Sequence, residues 1–451
     1  MELSRPPTET TARPQIELGA AIDKLDVGKF QIWIMALCGA MVFLDGFDTQ
    51  AMGYVAPSLT AAWKLERGAL GPVFSAALFG IMIGALAGGP IADAVGRRKV
   101  ILCSCLLFGA LSLATAFAND LAQLMALRFI TGLGLGAAMP NAIALVSEYS
   151  PGRRRASMVM IMFCGFSLGA ALGGLAAGFL VPHFGWSSVF LVGGIAPLLF
   201  APFLVAALPE SIRFLAAKNN RHSYIPPILT RLGAAPPPGA EFVIAEEKAR
   251  GFSVVQLFGE RRGIATILLW LIFFMSLLDL YLLASWLPTV INGMGLSVTT
   301  AVFISSLFQV GGTAAPPLLG LTIDRLGFFG VLVAVFLASA CAITTLGFVG
   351  TDVAPLALAV FVAGFCVVGG QGTANGLAAS LYPTVVRGTG IGWALGIGRV
   401  GSILGPAVGA AMLAQNLDRS SIFLVSAVPA LIAAVAGVCL WLLKPKLNNI
   451  H

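Results

Sequence analysis

Two carboxylates lie three residues apart within the first long apolar stretch of this 451-residue chain. Asp45 and Asp48 both fall inside residues 30–54, a stretch long enough to cross a bilayer. A charge inside such a span costs about 2.5–3.5 kcal/mol on insertion scales, so it normally faces the protein interior or a water-filled path. A helix places both side chains on one face, and Gly46 lets a neighbouring helix or a ligand approach. The spacing indicates a functional acid pair; the alternative is a carboxylate that pairs with a buried cation and holds two helices together.

Two arginines also lie within long apolar stretches, Arg128 in residues 121–146 and Arg399 in residues 389–413. A guanidinium is a planar fork that binds both oxygens of a carboxylate at once, which suits it to an anionic substrate. Arg399 is therefore a candidate anchor for a substrate carboxylate, and the alternative is a structural ion pair with Asp279. The role of Asp279 itself stays open.

Carboxylates are the groups expected to carry any coupled protons. The three histidines, His183, His222 and His451, all fall in loops or in the C-terminal tail. Burial favours the neutral form of a carboxylic acid, whereas a nearby cation favours the ionised form. Asp45 and Asp48, beside Arg128, are therefore predicted to change between the two forms as the site opens to either side of the membrane.

The composition is that of a polytopic membrane protein. Hydrophobic residues make up 58% of the chain and charged residues only 10%, whereas soluble proteins carry about 25% charged residues. The net charge of +7 is interpreted by location in such a chain, and it does not indicate a nucleic-acid partner. The seven cysteines form no CxxC pair, and no nucleotide-binding P-loop motif is present. We expect no metal site, no ATP hydrolysis and no enzyme activity.

Twelve apolar runs of spanning length form two sets of six, which predicts an all-α integral membrane protein with twelve transmembrane helices in two pseudo-symmetric six-helix bundles. The predicted segments are a tail at 1–29, a bundle at 30–208, a polar, proline-containing loop at 209–262, a second bundle at 263–443 and a tail at 444–451.

The distribution of basic residues predicts the orientation. If both chain ends lie inside, 22 of the 27 Lys and Arg residues fall on the inner side. Lys64, Arg67 and Arg419 fall outside, and Arg128 and Arg399 lie within spans. This asymmetry places both termini in the cytoplasm. At about 1.5 Å per residue, Arg128 in the fourth span reaches the depth of Asp45 and Asp48, and Arg399 lies near the midplane. Arg128 is therefore predicted to face one of the two acids, or alternatively only to stabilise the fourth helix.

The two halves repeat each other at a nearly constant offset. Gly89–Gly96 resembles Gly320–Gly327, 231 positions later, and the Phe43–Asp45 tripeptide resembles Leu277–Asp279, 234 positions later. A constant offset between similar motifs indicates a duplicated six-helix unit. Two parallel repeats with a site between them near the midplane are typical of a secondary transporter that works by rocking.

Three motifs resemble signatures of the major facilitator superfamily. Gly89–Arg98 resembles its loop between helices two and three, Leu127–Gly136 its fourth-helix motif and Pro209–Phe214 its motif at the end of helix six. The resemblance implies the major facilitator fold and alternating access.

A narrower set of motifs is similar to the aromatic acid:proton symporter family. These motifs are the Asp45–Asp48 pair, Tyr382–Gly390 and Gly396–Gly401. The resemblance implies a bacterial inner-membrane importer, in aromatic hydrocarbon catabolism, of benzoate- or 4-hydroxybenzoate-type carboxylates. It also implies that protons are the coupling ion, that no other cofactor is needed, and that the partners are the acid, protons and lipid; we expect a monomer. The acid and its ring substituents stay open.

Further polar and aromatic residues in the spans are candidates for contact with an aromatic acid. Amides could bond to ring hydroxyls and aromatic side chains could stack on the ring, although each could instead be a helix-packing residue. The candidates are Gln309, Gln371, Asn375, Phe47, Tyr281, Trp286 and Trp393.

The loop between helices two and three is predicted to be a conformational switch. Its acid can bond to a helix N-terminus and its arginines can reach acids or carbonyls of neighbouring helices, in one rocking state only. Positive charge that merely sets the topology is the alternative. The predicted switch residues are Gly89, Asp93, Gly96, Arg97 and Arg98, with Glu148, Arg154, Asp324, Arg325 and Arg387 as partners.

Two other functions remain open from the sequence. An exporter of drugs or metabolites with the same fold is the nearest, and a membrane sensor that binds aromatic acids without moving them is the second. The fifth helix carries Ala170 where antiporters often have proline, which favours symport, but Pro406 in helix eleven weakens this cue.

Overall fold

The computed structural model describes residues 15–217, 223–237, 240–243, 255–258, 262–382 and 384–448. In these residues, twelve helices are long and apolar enough to cross a membrane, which confirms the predicted fold class. They are α1 (Lys29–Trp63), α2 (Gly71–Val95), α3 (Arg97–Thr115), α4 (Leu121–Tyr149), α5 (Gly152–Phe184), α6 (Ser187–Ala207), α7 (Gly263–Gly293), α8 (Val298–Ile323), α9 (Arg325–Phe348), α10 (Val353–Leu381), α11 (Thr384–Ala414) and α12 (Arg419–Asn448). We call the membrane face that carries both ends of the described chain the terminal face, and the other the opposite face.

A glycine with positive φ stands at the repeat-related position near the end of the second helix of each bundle. Gly96 has φ +107° and ends α2. Gly327, 231 positions later, has φ +77° and interrupts the helical stretch Val298–Phe348 just after the start of α9. Residues with a side chain rarely adopt this backbone conformation, so the helix axis turns at a glycine. The two halves therefore share a backbone feature as well as a sequence motif.

Close helix packing inside each bundle also follows the repeat. In the first bundle, α1 touches α5 where a Cβ added to Gly46 would lie 2.1 Å from the carbonyl oxygen of Phe166. In the second, α7 touches α11 where a Cβ on Gly401 would lie 2.2 Å from the carbonyl oxygen of Phe274. Such separations allow only glycine, because backbone meets backbone.

The two bundles meet near the opposite face and diverge toward the terminal face. A Cβ on Gly71 of α2 would lie 2.3 Å from Cβ of Ala410 on α11, and the Ser75 hydroxyl donates to the carbonyl oxygen of Ile403 at 2.9 Å. Gly89 and Gly392 lie eighteen residues away on the same two helix faces, and no atom lies within 4 Å of a Cβ built at either. The space between the bundles therefore opens to the terminal face.

Short elements cover the terminal face of the first bundle. Strand β1 (Gln15–Glu17) pairs in parallel with β2 (Glu241–Val243). The helices at Leu18–Asp23 and Ile225–Leu232 bury apolar side chains in the hydrophobic cluster that contains the terminal-face half of the first bundle. A further turn, Val255–Phe258, packs instead on the second bundle, where the Thr266 hydroxyl donates to the carbonyl oxygen of Leu257 at 3.0 Å.

Candidate functional site

Asp48 forms a closed ion pair with Arg128 inside the first bundle. Nη2 of Arg128 donates to Oδ2 of Asp48 at 2.8 Å and to its backbone oxygen at 3.1 Å, and Nη1 donates to Oδ1 at 3.3 Å. The Ser112 hydroxyl of α3 adds a hydrogen bond to Oδ1 at 2.5 Å. Asp48 and Arg128 are 0% and 1% exposed. The predicted contact between helices one and four is therefore present, and it satisfies both carboxylate oxygens of Asp48.

An aromatic ring completes the surroundings of Arg128. The guanidinium carbon lies 5.4 Å from the ring centroid of Phe190 on α6, within the range of a cation–π contact. Nε, at one edge of the guanidinium, is buried and has no hydrogen-bond partner among the described residues. The pair and its neighbours thus connect α1, α3, α4 and α6.

Asp45 lies one turn away in quite different surroundings. It is 4% exposed, and its Oδ1 accepts a hydrogen bond from the Thr49 hydroxyl at 3.0 Å. No Lys, Arg or His of the described chain lies within ion-pair distance. It interacts electrostatically with Asp48 and, across the bundle interface, with Arg399. Asp45 is therefore a buried acid without a direct counter-charge.

Arg399 faces the first bundle from the second. Its side chain is half-buried, and Nη1 donates to the Tyr281 hydroxyl at 3.4 Å. The alternative ion pair with Asp279 is not formed, since no described acid lies within 4 Å of the guanidinium. The fork that binds a carboxylate is therefore uncompensated by any acid of the described chain.

A small cavity lies where the two bundles meet. Thr49, Gln50 and Arg128 line it from the first bundle, and Tyr281 and Ser285 line it from the second. Thr49 is the residue that bonds to Asp45, and Tyr281 is the residue that bonds to Arg399. Asp45 and Arg399 are therefore each connected to the cavity wall by a hydrogen bond with a hydroxyl group.

Three predicted polar residues lie in the second bundle. Nε2 of Gln371 donates to Oδ1 of Asn375 at 3.3 Å, one turn along α10, and Asn375 is exposed. Oε1 of Gln371 is buried without a partner among the described residues. Gln309 of α8 is buried, and its amide makes no hydrogen bond within the described chain. These amides therefore have free bonding capacity.

The loop between α2 and α3 is bound to the rest of its own bundle. Nη1 of Arg97 forms an ion pair with Oε1 of Glu148 at 2.5 Å, and the Ser211 hydroxyl donates to the other carboxylate oxygen at 2.5 Å. The backbone nitrogen of Arg98 donates to Oε1 of Glu210 at 3.0 Å. A Cβ at Gly96 would lie 2.3 Å from Oε2 of Glu210, and the φ of +107° at this position itself favours glycine. Arg97, Arg98 and Glu148 are thus brought together, as predicted for the inner-face network.

Other predicted switch residues stand apart in this conformation. Asp93, Arg154 and Arg325 are exposed and have no recorded ion pair among the described residues. The neighbours of Arg154 are paired instead: Arg153 with Asp26 and Arg155 with Asp23. In this conformation the residues on either side of Arg154 reach the acids of the N-terminal segment, and Arg154 makes no described ion pair. The side chains of Asp324 and Arg387 lie outside the described part of the structure.

Comparison with known proteins places this architecture in a family. A family model described as the Major Facilitator Superfamily matches residues 38–394 and, in a second match, residues 269–450. The chain belongs to this superfamily. The membership identifies this facilitator as a multi-pass membrane transporter and not an enzyme.

Relatives with known roles match this facilitator almost end to end. A gallate transporter of Pseudomonas putida is 43% identical over 92% of this chain and 93% of its own length. The 4-hydroxybenzoate transporter PcaK of Pseudomonas aeruginosa is 43% identical over 94% of this chain and 95% of its own. Among solved structures, the inward-open xylose transporter XylE of E. coli superimposes with a TM-score of 0.69 at 17% identity, covering 91% and 95% of the two chains, which shows the shared fold.

Three aromatic residues that were predicted to contact the substrate do not line this cavity. Phe47 packs inside the first bundle, where a Cβ on Gly173 or Gly193 would lie 3.2 or 3.1 Å from its ring. Trp286 is buried in the contact that closes the opposite face. Trp393 is exposed, and its ring stacks on that of Trp270 with centroids 5.9 Å apart. It stands six residues before Arg399 on α11, which places it about 120° around the helix from that arginine. The structure does not bring these rings to the cavity.

Several residues that complete the site were not anticipated from the sequence. Ser112, Thr49 and Phe190 surround the buried charges, and Glu210 and Ser211 complete the terminal-face network. Thr49 stands four positions after Asp45, so helical spacing could have indicated it. Glu210 lies within the recognised motif at the end of helix six. Ser112 and Phe190 had no such signal, since their roles depend on how α3 and α6 pack against α1.

Proposed function

We propose that this facilitator imports benzoate- or hydroxybenzoate-type aromatic carboxylates together with protons, across the inner membrane of a bacterium and with both chain ends in the cytoplasm. One observation carries the proposal: Arg399, which has no acidic partner among the described residues, faces Asp45 across the bundle interface, and Asp45 is a buried acid with no direct cation among them. The aromatic acids in the names of the similar transporters support the substrate class.

Arg399 is the proposed anchor for the substrate carboxylate. Its guanidinium is held by one neutral hydroxyl, from Tyr281, so its remaining donors are free to bind an anion. A carboxylate would accept two parallel hydrogen bonds from the planar fork, which fixes the orientation of the ring. The free amides of Gln309, Gln371 and Asn375 would then serve as partners for ring hydroxyls.

Asp45 is the proposed proton site. An ionised Asp45 attracts Arg399, so it competes with the substrate anion for the same cation. Protonation removes this competition, and Arg399 then becomes available to the carboxylate. When substrate leaves toward the cytoplasm, water that enters the open terminal side accepts the proton, and Asp45 again interacts with Arg399. Proton binding and substrate binding are thereby coupled.

Asp48 is assigned a different role from Asp45. Its two oxygens are occupied by Arg128 and Ser112, and the pair is fully buried. Both oxygens of this carboxylate are therefore already paired within the first bundle in this conformation. We assign the Asp48–Arg128 pair to the stability of the first bundle. Asp45 is then the acid of this bundle that couples proton binding to substrate binding.

Uptake into proteoliposomes tests this function. Purified protein is reconstituted, and accumulation of labelled 4-hydroxybenzoate is measured with the outside more acidic than the lumen. We expect accumulation by the native protein and by Asp352→Asn, an exposed acid used as a matched control. Asp45→Asn should accumulate far less substrate than the native protein yet still exchange internal for external substrate, because exchange needs no net proton movement.

The alternatives give distinct results in the same assay. An exporter would empty preloaded vesicles as protons enter and would not accumulate the acid. A sensor would bind the acid without any flux. Native-like accumulation by Asp45→Asn would show that the coupling proton binds elsewhere.

A further inference from the structure

Asp279 is a second buried acid, and the function proposed above does not use it. It lies on α7, sixteen residues from Gly263 and thus roughly 24 Å along a helix of 31 residues. It is 2% exposed, and Oδ1 is buried without a hydrogen-bond partner among the described residues. No described Lys, Arg or His lies within ion-pair distance of it.

The surroundings of Asp279 are apolar on both sides along the membrane normal. Ile272 and Phe273 belong to the terminal-face hydrophobic cluster of the second bundle, whereas Leu282 and Leu283 belong to the cluster that closes the opposite face. Ser276, one turn away on the same helix face, also has a buried hydroxyl without a described partner. Asp279 therefore lies at the boundary between two dry clusters, next to a single hydroxyl.

Neighbouring helices supply no charge to this acid. Helices α1, α10, α11 and α12 and the stretch formed by α8 and α9 pack against α7, and none of their described charged side chains forms an ion pair with Asp279. Arg399, the cation that α11 carries in mid-span, bonds to Tyr281 instead. Apart from Asp279 itself, the titratable or charged groups in the spans of α1 and α7–α12, away from the helix ends, are Cys38, Asp45, Asp48, Tyr54, Tyr281, Cys341, Cys366, Arg399 and Cys439.

We propose that Asp279 is a second proton-binding site, which takes a proton from outside water when the opposite face opens, holds it in the conformation seen here, and releases it to water on the terminal side when the space between the bundles widens far enough to hydrate α7. An ionised carboxylate without a partner in apolar surroundings is strongly disfavoured, so the acid is neutral here. Opening the contact between α7 and the first bundle would hydrate α7 near this level. The proton arrives from the outside in that state and leaves on the terminal side in the other, so one proton crosses the membrane at this site in each cycle.

The internal repeat gives this site its place in the molecule. Asp45 and Asp279 are 234 positions apart and occupy equivalent positions in the two six-helix units. Asp45 has a hydroxyl partner and a facing arginine, whereas Asp279 has neither, so the two acids would exchange protons under different conditions. Each repeat would thus contribute one proton-binding carboxylate.

A proton fits this site better than a metal ion. The unpartnered oxygens on this face of α7 are Oδ1 of Asp279 and Oγ of Ser276. Hard metal cations require more oxygen ligands than these two atoms offer. Among the described residues, no three His, Cys, Asp or Glu side chains are grouped as a metal site.

This inference rests on the proposed function, and its consequence is the charge moved per cycle. Two protons with one carboxylate anion carry a net positive charge into the cell, whereas one proton with one anion carries none. We therefore expect two protons per substrate in native proteoliposomes, measured by the reversal of flux against imposed pH gradients and potassium-diffusion potentials. Asp279→Asn should reduce the ratio to one and abolish the response to voltage, while Asp352→Asn should leave the ratio at two.

The possible results separate this inference from the function on which it rests. A native ratio of one, or a ratio of two that Asp279→Asn leaves unchanged, would overturn the second site but leave proton-coupled import intact. Absence of any proton-driven uptake by the native protein would overturn both. If Asp279→Asn does not fold, Asp279→Glu should retain the ratio of two, and the native ratio alone still decides. Dependence of the flux on sodium instead of protons would also contradict the proposal.

Discussion

At the scale of single residues, three positions along α1 separate two acids with unlike partners. Asp48 has two arginine nitrogens and a serine hydroxyl around its oxygens, and Asp45 has one threonine hydroxyl. A buried ion pair that loses one member leaves an unpaired charge, whereas replacement of both members leaves none. The two acids should therefore respond differently to the same Asp-to-Asn change.

Asp48→Asn or Arg128→Met alone should destabilise the protein by about 3–5 kcal/mol, because each leaves its buried partner unpaired. The double variant Asp48→Leu with Arg128→Met should recover most of this loss. Thermal unfolding in detergent, followed by tryptophan fluorescence, measures the effect. Asp45→Asn is the matched control and should unfold near the native temperature. A double variant as unstable as the worse single one would contradict the assignment of this pair to stability.

Arg399→Lys should weaken binding of aromatic acids about tenfold or more, roughly 1.4 kcal/mol, because it keeps the charge but loses the fork. Arg399→Ala should bind still more weakly, and uncharged amide analogues should bind the native protein poorly. Calorimetry in detergent measures binding apart from transport. Arg154→Lys, at an exposed position without a described partner, is the control. Native affinity in Arg399→Ala would show that the carboxylate docks elsewhere, and Arg128 would be tested next.

At the scale of helices, an aromatic contact closes the opposite face. The rings of Phe74 on α2 and Trp286 on α7 meet edge to face with centroids 5.1 Å apart, and Nε1 of Trp286 donates to the carbonyl oxygen of Pro406 at 2.9 Å. One tryptophan thus joins a helix of the first bundle to two helices of the second. A contact of this kind is lost when the bundles rock.

Trp286→Ala should shift the protein toward the conformation that is open at the opposite face. Ser75 lies at the same α2–α11 contact, so Ser75→Cys, in a chain whose seven native cysteines are replaced, reports opening. We expect a membrane-impermeant maleimide to label this cysteine several-fold faster from outside when Trp286 is alanine. Trp286→Phe, which keeps a ring, should label more slowly than Trp286→Ala. Equal labelling in all three proteins would exclude a gating role.

The loop between α2 and α3 should act on turnover more than on binding. Asp93 is exposed and unpaired among the described residues, while Arg97 and Arg98 bond within their own bundle. Asp93→Asn removes no contact of the described structure, so substrate affinity should be retained. The maximal transport rate should fall, because we expect this loop to act on the rocking step and that step to limit turnover. Uptake kinetics separate the two quantities. A normal maximal rate with only a raised half-saturation concentration would contradict this prediction.

At the scale of the whole molecule, the sequence was sufficient for the fold and insufficient for the shape of the site. Twelve apolar runs and the offset between Gly96 and Gly327 predict the bundles and their repeat, because these features depend on local composition. The distance of Trp393 from the site also follows from helical spacing alone. Phe47 and Trp286 could not be assigned, since their partners come from other helices and depend on tertiary packing.

The position at which the chain is divided should decide whether two coexpressed fragments assemble. β2 and the helix Ile225–Leu232 pack on the first bundle, and Val255–Phe258 packs on the second. A division after Val243 leaves each bundle with its own covering elements, so the fragments should copurify and transport. A division after Ala217 removes apolar covering from the first bundle, and transport should fall several-fold. Equal transport by both pairs would show that these elements do not stabilise the bundle.

The pairing of β1 with β2 also has a consequence for the order of events on the ribosome. Strand β1 lies at residues 15–17 and is made first, yet its partner lies at 241–243, after all six helices of the first bundle. The beginning of the chain must therefore wait beside the insertion machinery with an unpaired edge and with Leu18 and Ile22 uncovered. The first bundle becomes complete only once synthesis has passed Val243, shortly before α7 begins to insert. Codons that slow translation just after this point would give the strand time to find its partner.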